Sequence, residues 1–167
     1  MKARMAVMMI CGLGLLVSRV DAGGKADSKA SVSFHIETEA TDNPKMIFSQ
    51  ETNGQTRYFR RLPEINSKDV AAFRPCPSDS GGDDYGIVFQ LKETAARRMA
   101  AITNANQGRW LLAQINGRVV DAVQIDKPIE DGFLVVWKGV TTADLNLFDE
   151  AYPRIGQKEK EKKKKKK

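Results

Sequence analysis

The stretch WLLAQINGRVVDAVQI, residues Trp110–Ile125, is the most legible part of the chain. Two β-rich runs, Trp110 to Ile115 and Val119 to Ile125, flank the dipeptide Asn116-Gly117. Asn and Gly accept positive φ at the two central positions of a type I′ turn, and the twist of that turn matches the strands it joins. A two-residue hairpin follows, and with it an antiparallel sheet.

Upstream, Gly108 stops a helix expected from Ala95 to about Asn106, with Thr94 as its cap and Ala95, Met99 and Ile102 along one stripe. Before it, Tyr85 to Leu91 alternates Ile87, Phe89 and Leu91 in strand fashion and leaves a polar, Gly-containing loop at Ser78 to Asp84. Ser67 is placed to cap a short helix through Val70 and Ala71, which Pro75 and Pro77 would end. Asn53-Gly54 is a second turn, between short strands at Met46 to Ser49 and Arg57 to Arg60. Asn43-Pro44 breaks the chain ahead of them, and from Ser31 the alternation of Val32, Phe34 and Ile36 predicts a half-buried strand. Downstream, a loop through Pro128 and Gly132 leads into a strand at Phe133 to Trp137. Thr142 then opens a last helix carrying Leu145, Leu147 and Phe148, closed by Pro153. Strands interrupted by two substantial helices predict an α+β domain, a mostly antiparallel sheet with two main helices packed on one face.

The ends have a different character. Lys2 and Arg4 precede an apolar run from Met5 to Val17, and Val20-Asp21-Ala22 places small residues before a cut, the three-part pattern of a secretory leader. The run is shorter than the roughly 20 residues a membrane-spanning helix takes. Cleavage after Ala22 is expected, leaving a soluble periplasmic or secreted chain. Cys11 lies inside the apolar run, where a lipidation site would instead close it. The expected organisation is a leader at 1–22, a small polar linker at 23–30, one domain at 31–156 and a disordered tail at 157–167. Lys158, Lys160, Lys162, Lys163, Lys164, Lys165, Lys166 and Lys167 crowd that tail. The formal charge of +6 is therefore misleading, because residues 23–157 hold 16 basic and 18 acidic side chains. Such a body lacks the broad basic face that nucleic-acid binding requires.

Within 65–152 the residues resemble a known module. Thr103, Asn106, Gly108 and Arg109 at a helix end, Asn116-Gly117-Arg118-Val119 at a hairpin turn, and Pro128-Ile129 followed by Gly132 in a loop come in the order and spacing of the head subdomain in the first periplasmic domain of SecD and SecDF. That family shows Thr-x-x-Asn-x-Gly-Lys/Arg, Asp-Gly-Lys/Arg-Val and Pro-Ile-x-x-Gly. A departure is Val123, near the place where the family usually has Pro. The family also carries a bundle of transmembrane helices that couples proton flow to translocation, and no second apolar segment of spanning length follows the leader here. The resemblance thus implies the head alone, whose family role is to contact emerging polypeptide outside the membrane. Each motif residue also has a structural explanation, since Asn and Gly are what helix ends and tight turns require.

Catalytic patterns are sparse. His35 is the sole histidine and Cys76 the sole cysteine after the leader. A Cys-His pair can generate a thiolate nucleophile, but His35 falls on the strand face of Ser33 and Glu37, expected to meet solvent. Cys76 between Pro75 and Pro77 reads as a semi-buried loop residue or an intermolecular crosslinking site. Asp79, Asp83 and Asp84 near Gly81-Gly82 miss the spacing of a dedicated calcium loop. No cofactor, metal or catalytic site is expected.

Trp110 and Trp137 are candidate contacts for an extended peptide pairing with a sheet edge. The expected function is a non-catalytic binding module with polypeptide or envelope-protein partners. The alternative is an accessory envelope protein that its lysine tail tethers weakly to anionic membrane or envelope polymer.

Overall fold

The computed structural model describes residues 30–157. The expected leader, most of the expected linker and the lysine-rich end lie outside the described residues. Nine strands and two α-helices follow one another in the described chain. β1 (Val32–Thr38) precedes the hairpin of β2 (Ile47–Thr52) and β3 (Gln55–Arg60); a two-residue β4 (Ile65–Asn66) and a 3-10 turn at Ser67–Asp69 lead into β5 (Val70–Pro77). Then come β6 (Tyr85–Leu91), α1 (Glu93–Ala105), the hairpin of β7 (Trp110–Ile115) and β8 (Arg118–Gln124), β9 (Phe133–Val140) and α2 (Thr142–Ala151).

The strands fall into two sheets, one in the order β2-β3-β1-β7-β8 with β4 also on β1, the other in the order β5-β6-β9. Every strand pairing is antiparallel. The α+β architecture expected from the sequence is the one observed, with the division into two sheets added to it. Val32, Phe34 and Ile36 of β1, Phe73 of β5, Ile87 and Phe89 of β6, Ala95 and Met99 of α1, and Leu145 and Phe148 of α2 share a single buried cluster. Phe89 packs its ring against Phe34 and Phe148, and Phe148 also meets Phe73. Each such aromatic pair contributes roughly 0.5–1.5 kcal/mol beyond area burial, so these rings bind both sheets to α2.

Both Asn-Gly turns form as expected, with φ of 52° and 71° at Asn53 and Gly54 and of 50° and 76° at Asn116 and Gly117. Three expectations fail. Ser67 opens no helix through Val70 and Ala71: the turn there is a single 3-10 step capped by Asn66, and Val70 begins β5. Pro75 and Pro77 lie within β5 and do not stop a helix; β5 is an edge of its sheet, where a missing N–H breaks no ladder. Thr94 sits inside the first turn of α1, whose cap position is Lys92 with no side-chain hydrogen bond.

His35 departs from expectation as well, since it is buried. The β2–β3 hairpin pairs with the far end of β1 through Phe59 and Tyr58 and brings Phe48 edge-on to the His35 imidazole, 5.4 Å between centroids. Leu112, paired with His35, is likewise fully buried. The face expected to meet solvent is thus covered by a second, smaller layer.

Candidate functional site

β8 ends one sheet and β9 ends the other. The two edges meet only at one end. There the Trp137 amide donates to the Asp121 carboxylate at 2.8 Å, and a side chain on Gly139 would stand 2.9 Å from the Val120 carbonyl oxygen. No strand ladder joins them, so each presents a line of backbone groups that its own sheet does not use. Towards Ile125 and Phe133 they part, and a groove of about 720 Å³ opens between the sheets.

Phe34, Leu111, Ala113, Val123 and Leu134 give the groove an apolar lining, and the loop from Asp126 to Asp131 forms one wall. Trp137 lies at its closed end and is 49% exposed, unusual for so large an apolar side chain. The position of Val123 in β8, where the resembled family tends to have Pro, faces into this groove and packs partly against the core.

The motif residues converge on this wall and on the hairpin behind it. Thr103 is fully buried; its hydroxyl donates to the Met99 carbonyl at 2.8 Å and accepts from the Ile129 amide at 2.9 Å. The Gly132 carbonyl accepts from the Leu91 amide, so the Pro128–Gly132 loop is pinned at both ends to the α1 region. Asn106 donates its side-chain amide to the Ile102 carbonyl, closing α1, and the Gly108 amide then bonds Ile125 at the mouth of the groove. Arg109 reaches back to the Glu37 carbonyl at 3.2 Å. Asn116 links the hairpin turn to two distant segments, accepting from the Ser31 amide and donating to Asp144. These side chains shape and hold the groove; only Pro128 among them lines it, together with the loop it begins.

Trp110 and Trp137 are not brought together. Trp110 lies on the outer side of its sheet beneath the Arg57 guanidinium, 4.7 Å from the ring centroid, and Arg57 is in turn paired with Glu37 at 2.7 Å. It lines a smaller depression with the β2–β3 turn residues Thr52 and Asn53, separated from the main groove by Asp121 and Ala122 of β8.

His35 and Cys76 are also apart, on different sheets. Both His35 ring nitrogens have partners, Ser33 Oγ at 2.9 Å and the Arg60 carbonyl at 2.8 Å. Burial pushes its pKa down, against the opposing Arg60 bond and Glu64 charge. Cys76 is half-buried in strand β5, where burial pushes its thiol up and Arg74 offsets part of the effect. Such a thiol is a poor nucleophile. Asp84 is held down to about 2, by the Ser80 hydroxyl first and the Gly139 amide second, which ties the polar loop to the sheet junction. Among the described residues no three His, Cys, Asp or Glu side chains gather as metal ligands, and no helix is long and apolar enough to cross a membrane.

Apart from Trp137 and Pro128, sequence reasoning did not single out the groove lining, nor assign a role to the acidic residues at its mouth, Asp126, Glu130 and Asp131. The Pro-Ile-x-x-Gly loop was the one local signal pointing to them.

No family model matches the chain. The protein translocase subunit SecD of Thermobaculum terrenum is 32% identical over 77 residues, which is 46% of this chain and 15% of that protein. A solved structure of SecDF, a membrane component that enhances protein export, overlies 75% of this chain and 64% of its own with a TM-score of 0.51 at 18% identity. A SecDF structure in a super-membrane-facing form overlies 74% of this chain and 19% of its own with a TM-score of 0.52. The described domain is SecD-like: the curated relative carries the likeness in sequence and the solved structures carry it in fold. The chain spans a small fraction of the length of that curated relative.

Proposed function

We propose that this domain binds extended, unfolded segments of polypeptide in the groove between its two sheets and performs no chemistry on them. The observation that carries the reading is a pair of free strand edges flanking an apolar groove with a half-exposed tryptophan at one end. A segment lying along β8 or β9 would satisfy its backbone by strand addition, which is indifferent to sequence, while alternate side chains enter the groove. Trp137 supplies a large, stiff contact of the kind that dominates binding energy. The likeness to SecD and SecDF supports it, since protein export presents unfolded chains, and a location on the outer side of the membrane fits the same role.

Titration with an unfolded polypeptide, followed by tryptophan fluorescence and backbone amide shifts, tests the reading. Shifts should concentrate in β8, β9 and the Asp126–Asp131 wall, and Trp137→Ala should weaken binding about tenfold, since truncating an anchor aromatic costs upwards of 1 kcal/mol. Trp110→Phe should leave the affinity unchanged. Saturating polypeptide that moves no amide of β8 or β9 would overturn the proposal.

A further inference from the structure

The groove is not electrically neutral, and its charge identifies which segments it favours. Asp126, Glu130 and Asp131 line its open end and are exposed, while Lys127 is the single cation among the lining residues. Among the described residues none of these three acids forms an ion pair. Asp131 is exposed and accepts from the Phe133 amide at 3.0 Å through one carboxylate oxygen. Asp121, the fourth acid, is already committed to the Trp137 and Ala122 amides. Elsewhere on the body arginines are matched with carboxylates, as in Arg57 with Glu37, Arg98 with Asp69 and Arg118 with Asp144. Three carboxylates without an ion-pair partner among the described residues thus stand at one end of an apolar channel, and low-dielectric walls focus such a field. At the other end Trp137 is followed by Lys138, which lines the neighbouring depression.

Resting on the polypeptide-binding reading above, we propose that the groove selects segments in which lysine or arginine stands close to apolar residues, and binds them in one direction. The basic residue sits at the Asp126–Asp131 end and the apolar one at Trp137. Along β9, Phe133 and Trp137 are four residues apart. A strand paired with β9 rises about 3.3 Å per residue, so the two features of the bound segment are separated by the same four residues, or slightly more.

Three short unstructured peptides, alike in apolar content and differing only in lysine, serine or glutamate at that spacing, decide the matter by fluorescence anisotropy with the full chain. The lysine peptide should bind about tenfold more tightly than the glutamate peptide at low salt, as expected for a few partly exposed charge contacts, and the advantage should shrink as salt rises. Combining Asp126→Asn, Glu130→Gln and Asp131→Asn should erase the preference, so that the lysine, serine and glutamate peptides bind the variant alike. Reversing the order of lysine and apolar residue in the peptide should weaken binding. Equal affinity for the lysine and glutamate peptides, or a preference that survives the triple substitution, overturns the inference. The preference should persist when residues 158–167 are removed, since their lysines attract the glutamate peptide and could only mask it; its loss in that truncated chain overturns the inference as well. If even the serine peptide fails to bind, the groove reading itself falls.

Discussion

Asp144 accepts hydrogen bonds from the Asn116 side chain at 2.7 Å, the Arg118 guanidinium at 2.6 Å, and the amide and hydroxyl of Thr141 at 3.0 and 2.7 Å. One buried carboxylate thereby caps α2 and grips the turn of the β7–β8 hairpin. Burial pushes its pKa up, but the Thr141 bonds, then Asn116 and Arg118, outweigh that and hold it below the ordinary carboxylate value. A depressed pKa contributes stability that is present above the unfolded value of about 3.9 and is lost as pH falls through the folded one. Asp144→Ala is expected to cost about 3 kcal/mol at neutral pH, because it removes a cap and leaves several donors unmatched. Urea unfolding would show it, and the variant's stability should fall less steeply below pH about 4 than the parent's. Asn116-Gly117-Arg118 reads from sequence as a turn, and so it is. That the turn also anchors a helix through a residue 28 positions away is beyond any local pattern.

The β2–β3 hairpin illustrates the same divide. Its two strands and the Asn53-Gly54 turn are legible from a tight-turn dipeptide between short apolar runs. Where it folds back is not, because β-period alternation assigns His35 to the polar side of β1 without knowing that another element covers that side. The covering has a consequence for pH. Burial lowers the His35 pKa, the Arg60 carbonyl and Glu64 opposing it. For a lowered base the stability is complete above the unfolded value of about 6.5 and is lost as pH drops through that value towards the folded one. Hydrogen exchange of the Ile47–Arg60 amides, corrected for intrinsic rates, should therefore reveal a hairpin that opens more readily at pH about 5 than at pH about 7. His35→Gln should flatten this dependence; an unchanged profile in the variant would refute the assignment. β5 shows the converse error, where two prolines suggested a helix stop although an edge strand accommodates them equally well.

For the molecule entire, the decisive contact is the junction of the two sheets at Val120, Asp121, Trp137 and Gly139. Gly139 has φ of 80° and approaches the Val120 backbone so closely that a β-carbon would meet its carbonyl oxygen at 2.9 Å. Gly139→Ala is expected to lower stability by about 2 kcal/mol, combining backbone strain with displacement of β8. The Trp137 amide should lose exchange protection in the same variant, because its bond to Asp121 spans the junction.

What residue order alone determined was local: alternation that buries one face of a strand, Asn-Gly turns that admit positive φ, and helical stripes of apolar residues. Those preferences act over a few neighbouring residues, so composition and spacing express them, and even the likeness to SecD was carried by such turns and helix ends. Only the tertiary structure decided that the strands divide between two sheets, that β8 and β9 meet at one end and part at the other, and that unmatched acids collect beside the gap. Edges and grooves arise from contacts between residues far apart in the chain, whose energies depend on packing geometry that no short stretch encodes.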